Sequence, residues 1–339
     1  MGTFDDIINH HMRVIYRKGK GILKSDMKYY FIINPAAGKG KGCDTLERDI
    51  LEVSSELSKD VTIYRTTCVG DAEVFTRTTA ESDPDEDLCF IACGGDGTFN
   101  EVLNGCIGHR NASCSIMPLG TGNDFVRNFP DAGDFTSVRA LLQGEVLSCD
   151  SIEYSGVIDG EFRVRYCANM FNIGFDCNVV DATQKFKTKP LVFGSAAYLL
   201  GVASTLIKKK GADLLVIADG VIVCDGPILL TSIANGSFCG GGVKSNPYAS
   251  VQDGRIDLSV IKDLSRLRFI TLFPKYQKGT HLDTPKTEDI IDNMKAQEVS
   301  IIPRNGSMRL CTDGEIATAE GVLFRVLPNS FRFMVPAIL

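Results

Sequence analysis

The sequence predicts a two-part chain: an α/β domain built on a parallel sheet, followed by a mainly antiparallel β domain. Three observations predict it. Before residue 146, short β-favouring runs each end in a glycine or polar loop, with helical patterns between them. After it, short strands follow one another with few helices between them, and Asp-Gly pairs mark tight hairpins. The boundaries read as an N-terminal extension over 1–26, the α/β domain over 27–145, the β-rich domain over 146–329, and a C-terminal segment over 330–339 that returns to the first domain.

The elements follow in order. Lys28 to Ile33 is a strand that stops at Asn34-Pro35-Ala36-Ala37-Gly38, and a glycine-lysine loop then enters a helix from about Thr45 to Leu57. The spacing of the usual phosphate-binding P-loop is absent. Val61 to Tyr64 is a second strand, ending in a loop whose Thr66 hydroxyl is placed to meet a phosphate. Acidic 83–87 reads as a solvated loop. The central stretch is Leu88 to Ala92, which runs into Gly94-Gly95-Asp96-Gly97-Thr98 and then a helix. Glycines there remove Cβ atoms that would block a ligand, while the free N–H groups and dipole of the helix favour an anion. Asp96 would repel bare phosphate, so it makes sense with a divalent cation between them. A fourth strand, Cys114 to Leu119, opens into Gly120-Thr121-Gly122-Asn123-Asp124. In a parallel sheet these four loops share the carboxyl edge, where ligands collect. Convergence weighs against four unrelated turns.

In the second half, strands are expected at 148–154, 162–171, 214–218, 228–234, 255–261, 299–302 and 321–327, with helical insertions near 176–209 and 264–276. Asp159-Gly160, Asp219-Gly220 and Asp225-Gly226 read as hairpin turns, and Asp313-Gly314-Glu315 as a turn between late strands.

Composition narrows the function classes. With 44% hydrophobic residues and a net charge of −6, the 339-residue chain is globular and lacks the basic footprint of a nucleic-acid binder. Twelve cysteines without a Cys-x-x-Cys pair point to a reduced, cytoplasmic protein, and the histidines at 10, 11, 109 and 281 have no zinc-ligand spacing. No secretory h-region is expected in residues 1–26, which read as an appended helix. Leu191 to Ile207 is free of charge and flanked by six lysines. It reads either as a helix buried or lying on a bilayer surface, or as a packing helix between domains.

Taken together, Asn34-Pro35…Gly38, Gly94 to Thr98 with Asn100-Glu101, Pro118 to Phe125, Asn235-Gly236…Gly240-Gly241-Gly242, Asp253-Gly254…Asp257 and Asp313-Gly314-Glu315 resemble, in order and spacing, the diacylglycerol kinase catalytic family, which includes soluble bacterial lipid kinases and sphingosine kinases. The resemblance runs from Lys28 to the C-terminus. It implies an α/β nucleotide-binding domain, a β-sandwich-like second domain, and transfer of the γ-phosphoryl group of ATP to a lipid hydroxyl between them. By the same resemblance Asn34, Gly38, Thr66, Gly94, Gly95, Gly97, Thr98, Gly120, Thr121 and Asn123 line ATP, and Asp96 and Asp124 hold Mg²⁺ through waters. Asp313 is the general base, and Glu315 beside it is expected to raise its pKa by like charge. Glu101 either orients these groups or serves as a helix first-turn carboxylate. Asp253 and Asp257 either hold a structural cation or form an ordinary turn. The implied partner is a lipid at a membrane surface, most simply diacylglycerol converted to phosphatidate, with no nucleic acid, peripheral attachment and a homodimer kept open. A sphingoid base, ceramide or undecaprenol is the alternative acceptor, and a lipid sensor without turnover the alternative class.

Overall fold

The fold comes from a computed structural model, which describes residues 27–40, 43–120, 122–175, 177–179 and 211–339. The expectations for 1–26, for Thr121 and for Leu191 to Ile207 with its lysines lie outside the described residues.

Strands β1 (Lys28–Ile33), β2 (Asp60–Arg65), β3 (Leu88–Gly94) and β4 (Ala112–Pro118) pair in parallel in the order β2-β1-β3-β4. β3 lies inside this sheet and is buried along its whole length, as its unbroken apolar run requires. Helices α1 (Cys43–Glu56), α2 (Asp71–Ser82) and α3 (Asp96–Cys106) make the crossovers, so the glycine loops fall at the carboxyl edge together. A short α4 (Val138–Leu142), capped by Ser137, precedes the second half.

The second half contains β5 (Glu145–Ile158), β6 (Glu161–Cys167), β7 (Met170–Gly174), β8 (Ala212–Ala218), β9 (Val221–Ala234), β10 (Ile256–Lys262), β11 (Ile291–Ala296), β12 (Glu298–Pro303), β13 (Met308–Thr312) and β14 (Glu315–Val335), with α5 (Arg266–Lys278) after β10. Pairing within it is antiparallel throughout. One path runs β11-β10-β9-β7-β13-β14, while β8 and β12 bridge β9 to β14, and β5 carries β6 at its side. A second core, including Tyr154, Phe171, Val216, Leu258, Val299, Leu310 and Phe324, fills the space between these branches.

Three departures from the sequence reading have physical causes. The single strand expected over 162–171 breaks at Ala168-Asn169 into β6 and β7. Asp225-Gly226, expected as a hairpin turn, lies inside β9, where Gly226 at φ 140° keeps the strand continuous. β14 is far longer than the expected 321–327: register shifts between Ala319 and Gly321 and between Leu327 and Phe331 absorb the Gly, Pro and Asn that suggested ends. Asn329 takes φ 52°, and its N–H donates to Asp150 Oδ1 at 2.7 Å.

β14 also joins the halves. Phe333 pairs with Cys114 of β4 in parallel, and Phe331 and Phe333 enter the first core. Fully buried Phe333 packs edge-on against Phe125 at 5.0 Å, stacks on Phe129 at 5.1 Å and meets Phe99 of α3 at 5.8 Å. This aromatic cluster clamps the residue next to Asp124 and the helix that follows Asp96.

Candidate active site

Each carboxyl-edge loop touches another. Asn34 Nδ2 donates to Thr98 Oγ1 at 3.0 Å, tying the loop after β1 to the first turn of α3. Thr66 N–H donates to the Ile33 carbonyl at 2.9 Å, and a Cβ on Gly38 would lie 3.4 Å from the Leu119 carbonyl. Two glycines meet where the central loops cross: a Cβ on Gly120 would stand 2.8 Å from Gly95 Cα, so a side chain there would part the loops. Gly94 is constrained by Thr98, whose Oγ1 would be 2.4 Å from an added Cβ. Gly95 begins α3 without a side-chain cap, leaving the N-terminal N–H groups of that helix facing the cleft.

Asp96 lies in this cradle. Its carboxyl accepts from Asn123 N–H at 2.9 Å and Asp124 N–H at 3.2 Å, and burial followed by the charge of Asp124 pushes its pKa up to about 6. Asp124, 7% exposed, accepts from Gly241 N–H at 2.9 Å and Gly242 N–H at 2.8 Å, with Arg127 Nε 3.5 Å away. Burial still holds its pKa above the usual range against these donors. The glycine run 240–242, with φ of 58°, 83° and 110°, is what lets consecutive N–H groups turn toward one carboxylate. In the sequence that run counted only among the motifs of the resemblance, with no partner assigned to it. Its role as the partner of Asp124 joins the domains, as does Asn128 Oδ1, which accepts from Ser237 N–H at 2.8 Å.

From the opposite domain comes Asp313, the first residue of the two-residue turn between β13 and β14. Both turn residues have positive φ, 47° at Asp313 and 91° at Gly314, the primed geometry that matches strand twist. The Asp313 carboxyl accepts from Cys167 Sγ at 3.1 Å and Met170 N–H at 3.2 Å. Burial, then the charge of Asp96, pushes its pKa up to about 7. The neighbouring charge that acts on Asp313 is thus Asp96 of the other domain, where Glu315 had been expected to act. Glu315 reaches across instead: its Oε1 lies 2.7 Å from where a Cβ on Gly97 would stand, directly over the start of α3. Cys167 and Met170 were not singled out from the sequence.

Two other expected residues have different surroundings. Both oxygens of Glu101 are engaged by the N-terminus of α2, accepting from Gly70 N–H at 2.9 Å and Ala72 N–H at 3.2 Å, so it serves neither the ligand cleft nor its own helix. Asp253 and Asp257 face a cation that belongs to the chain: Lys295 Nζ lies 2.5 Å from Asp253 Oδ2 and 3.0 Å from Asp257 Oδ2. An ammonium already fills the place expected for a structural ion.

Among the described residues no three His, Cys, Asp or Glu side chains converge as direct metal ligands. The donor set does fit a hydrated cation. Asp96 and Asp124 are already bonded by backbone N–H groups and meet an ion best through its waters, and the buried Asn123 Oδ1 is an acceptor with no hydrogen-bond partner among the described residues.

Facing carboxylates on two domains across a glycine-lined anion cradle define a two-domain phosphotransferase site. Residues 28–154 match the diacylglycerol kinase catalytic domain, and residues 169–335 match the YegS C-terminal NAD kinase beta sandwich-like domain. The chain is 28% identical over 288 residues to a diacylglycerol kinase of Bacillus subtilis, covering 84% of this chain and 88% of that one. It is likewise 28% identical over 289 residues to a diacylglycerol kinase of Staphylococcus saprophyticus, covering 84% and 87%. A solved diacylglycerol kinase from Bacillus anthracis shares the fold with a TM-score of 0.65 at 21% identity, over 92% of this chain and 98% of that chain. The chain belongs to the diacylglycerol kinase catalytic family and is a lipid kinase of that family.

Proposed function

We propose that the chain transfers the γ-phosphoryl group of ATP to the primary hydroxyl of diacylglycerol, giving phosphatidate, at a membrane surface. The observation that carries this reading is Asp313, a carboxyl from the second domain with a pKa raised to about 7, set against the Asp96 cradle of the first. A base works best with a pKa near the working pH. The lipid oxygen attacks the γ-phosphorus as its proton passes to Asp313. The new O–P bond forms while the bond to the bridging oxygen breaks, and ADP leaves. The N–H groups at the start of α3 and the loops around Gly95 and Gly120 hold the phosphates. Mg²⁺, held through waters by Asp96 and Asp124, would offset charge on the transferring oxygens.

A small, half-open pocket with an almost wholly apolar lining is the feature that supports a lipid acceptor. It is lined by Phe175, Leu230, Ile261, Phe269, Leu272 and Tyr276 among others. β7 leads from Met170 beside Asp313 to Gly174, next to Phe175 of the pocket lining, about 13 Å at ~3.3 Å per residue. The names of the curated relatives favour diacylglycerol over a sphingoid base, ceramide or undecaprenol.

The test is transfer of ³²P from γ-labelled ATP to a panel of these lipids, with Asp313→Asn alongside. Labelled phosphatidate and a loss of roughly 10²–10⁴ in kcat for the variant are expected. ATP binding with no labelled lipid would favour a sensor, and full activity in the variant would remove Asp313 as the base.

A further inference from the structure

Helix α5 is apolar on two sides, and only one of them is used by the core. Phe269, Leu272 and Tyr276 point inward to the cavity. On the opposite side Leu267 is 74% and Ile270 57% exposed, and exposed Pro274 continues the same stripe at i, i+3, i+7 spacing. The stripe is edged by Arg266 on one side and by Arg268 and Lys275 on the other, with Lys278 at its end, all exposed. The helix has four basic residues and no acidic one, in a chain of net charge −6. Arg268 donates to the Lys286 carbonyl at 2.5 Å, a neutral acceptor that steadies the guanidinium and leaves its charge in place.

We propose that this outer face of α5 is the surface on which the protein docks to an anionic lipid bilayer. An apolar stripe bordered by cations is the pattern of a helix lying in the plane of the headgroups, where the cations meet lipid phosphates. Charge complementarity selects the occupant. A protein partner fitting this face would have to supply matching acidic groups around an apolar ridge, whereas an anionic leaflet supplies both at once. Length agrees: 13 residues make about 20 Å of helix, too short to span a hydrocarbon core of ~30 Å. No helix among the described residues is long and apolar enough to cross. The inner face of the same helix walls the apolar cavity, so docking on the outer face brings the cavity to the leaflet that holds its substrate. The inference rests on the lipid-kinase reading for that last link alone.

Co-sedimentation with vesicles of equimolar phosphatidylglycerol and phosphatidylcholine, against vesicles of phosphatidylcholine alone, tests it. A parallel assay of phosphoryl transfer to a soluble short-chain diacylglycerol separates docking from chemistry. Three variants are compared with the parent: Leu267→Glu/Ile270→Glu, Arg268→Gln/Lys275→Gln/Lys278→Gln, and Phe162→Glu as a control on β6, where Phe162 is 72% exposed. The parent should prefer anionic vesicles. The triple variant should lose binding by on the order of a hundredfold, and the double variant at least tenfold. Phe162→Glu should bind as the parent, and all variants should keep soluble-substrate turnover. Unchanged vesicle binding in both α5 variants, or equal binding to neutral and anionic vesicles, would overturn the proposal. So would loss of soluble turnover in the α5 variants, which would place them in the catalytic machinery. Vesicle binding through α5 without transfer to any lipid would sustain the docking surface and remove the kinase reading instead.

Discussion

Replacing Cys167 with Ala should move the acidic limb of the pH–rate profile upward. The Asp313 carboxylate accepts from Cys167 Sγ at 3.1 Å and Met170 N–H at 3.2 Å, and both favour its charged form. Against them stand burial and the charge of Asp96, while Tyr154 and Asn169 complete the groups facing it. A hydrogen bond to a charged acceptor contributes about 1.5–3 kcal/mol, and a thiol is a weak donor, so about 1 kcal/mol is a fair figure. At 1.36 kcal/mol per pKa unit this is roughly 0.7 unit. The limb of kcat/KM near pH 7 should therefore rise by about half to one unit in Cys167→Ala. Cys167→Ser, which keeps a donor, should hold it at or below the parent value. The sign follows from the base being active when deprotonated: raising its pKa removes activity between the old and new values. The assay is kcat/KM against pH with soluble short-chain diacylglycerol, which keeps membrane charge out of the profile. Burial and Asp124 push the Asp96 pKa up only to about 6, so the upper step is the one to follow. A limb in Cys167→Ala that stays put or moves down, in protein that melts normally, would refute the thiol's part in holding the carboxylate.

Two further outcomes concern the scaffold. Gly120→Ala would place a methyl 2.8 Å from Gly95 Cα, where carbon contacts need about 3.5–4.0 Å, so the two phosphate-side loops must part. A fall of about 10² in kcat/KM for ATP with little change in melting temperature is expected, and unaltered kinetics would show that the crossing does not matter. Lys295→Met should destabilise the fold by about 1–3 kcal/mol, because it leaves buried Asp257 without its cation while Lys295 and Asp253 are partly exposed. Burial already raises the Asp257 pKa, so the deficit should be largest at pH 8 and shrink toward pH 4, as urea titrations at both ends would show. Melting of the parent should not shift between EDTA and added Mg²⁺ or Ca²⁺ at this site; a rise lost only when Asp253 and Asp257 are replaced would restore the structural ion.

The first domain was legible because each parallel strand announces itself by a β-favouring run ending in a glycine or polar loop, and four such ends must share one edge. The hairpins at Asp159, Asp219 and Asp313 were legible for a local reason: all three adopt φ near 50° followed by a glycine at positive φ. Asp225-Gly226 shows where that signal fails, since the same dipeptide sits within a strand when its pairing with β8 continues past it. Asp96, Asp124 and Asp313 stood out because carboxylates beside glycines in turns are conspicuous. Their partners did not. The N–H groups of Gly241, Gly242 and Met170 carry no side-chain signature, and Cys167 meets Asp313 across 146 residues of sequence. Glu101 misled because its neighbours in sequence belong to the cleft while its carboxyl reaches sideways to α2, a contact set only by tertiary packing.

β14 is a single ribbon of 21 residues, with the reacting turn at its head and the phenylalanine anchor of the other lobe at its tail. It fixes the spacing between that turn and the anchor. Because side chains alternate along it, inserting or deleting one residue would reverse the inward set beyond the lesion and either displace the base or unseat Phe333. Removing Phe331 to Val335 from the tail of this strand should therefore be felt at the Asp313 turn at its head, more than 15 residues away in sequence.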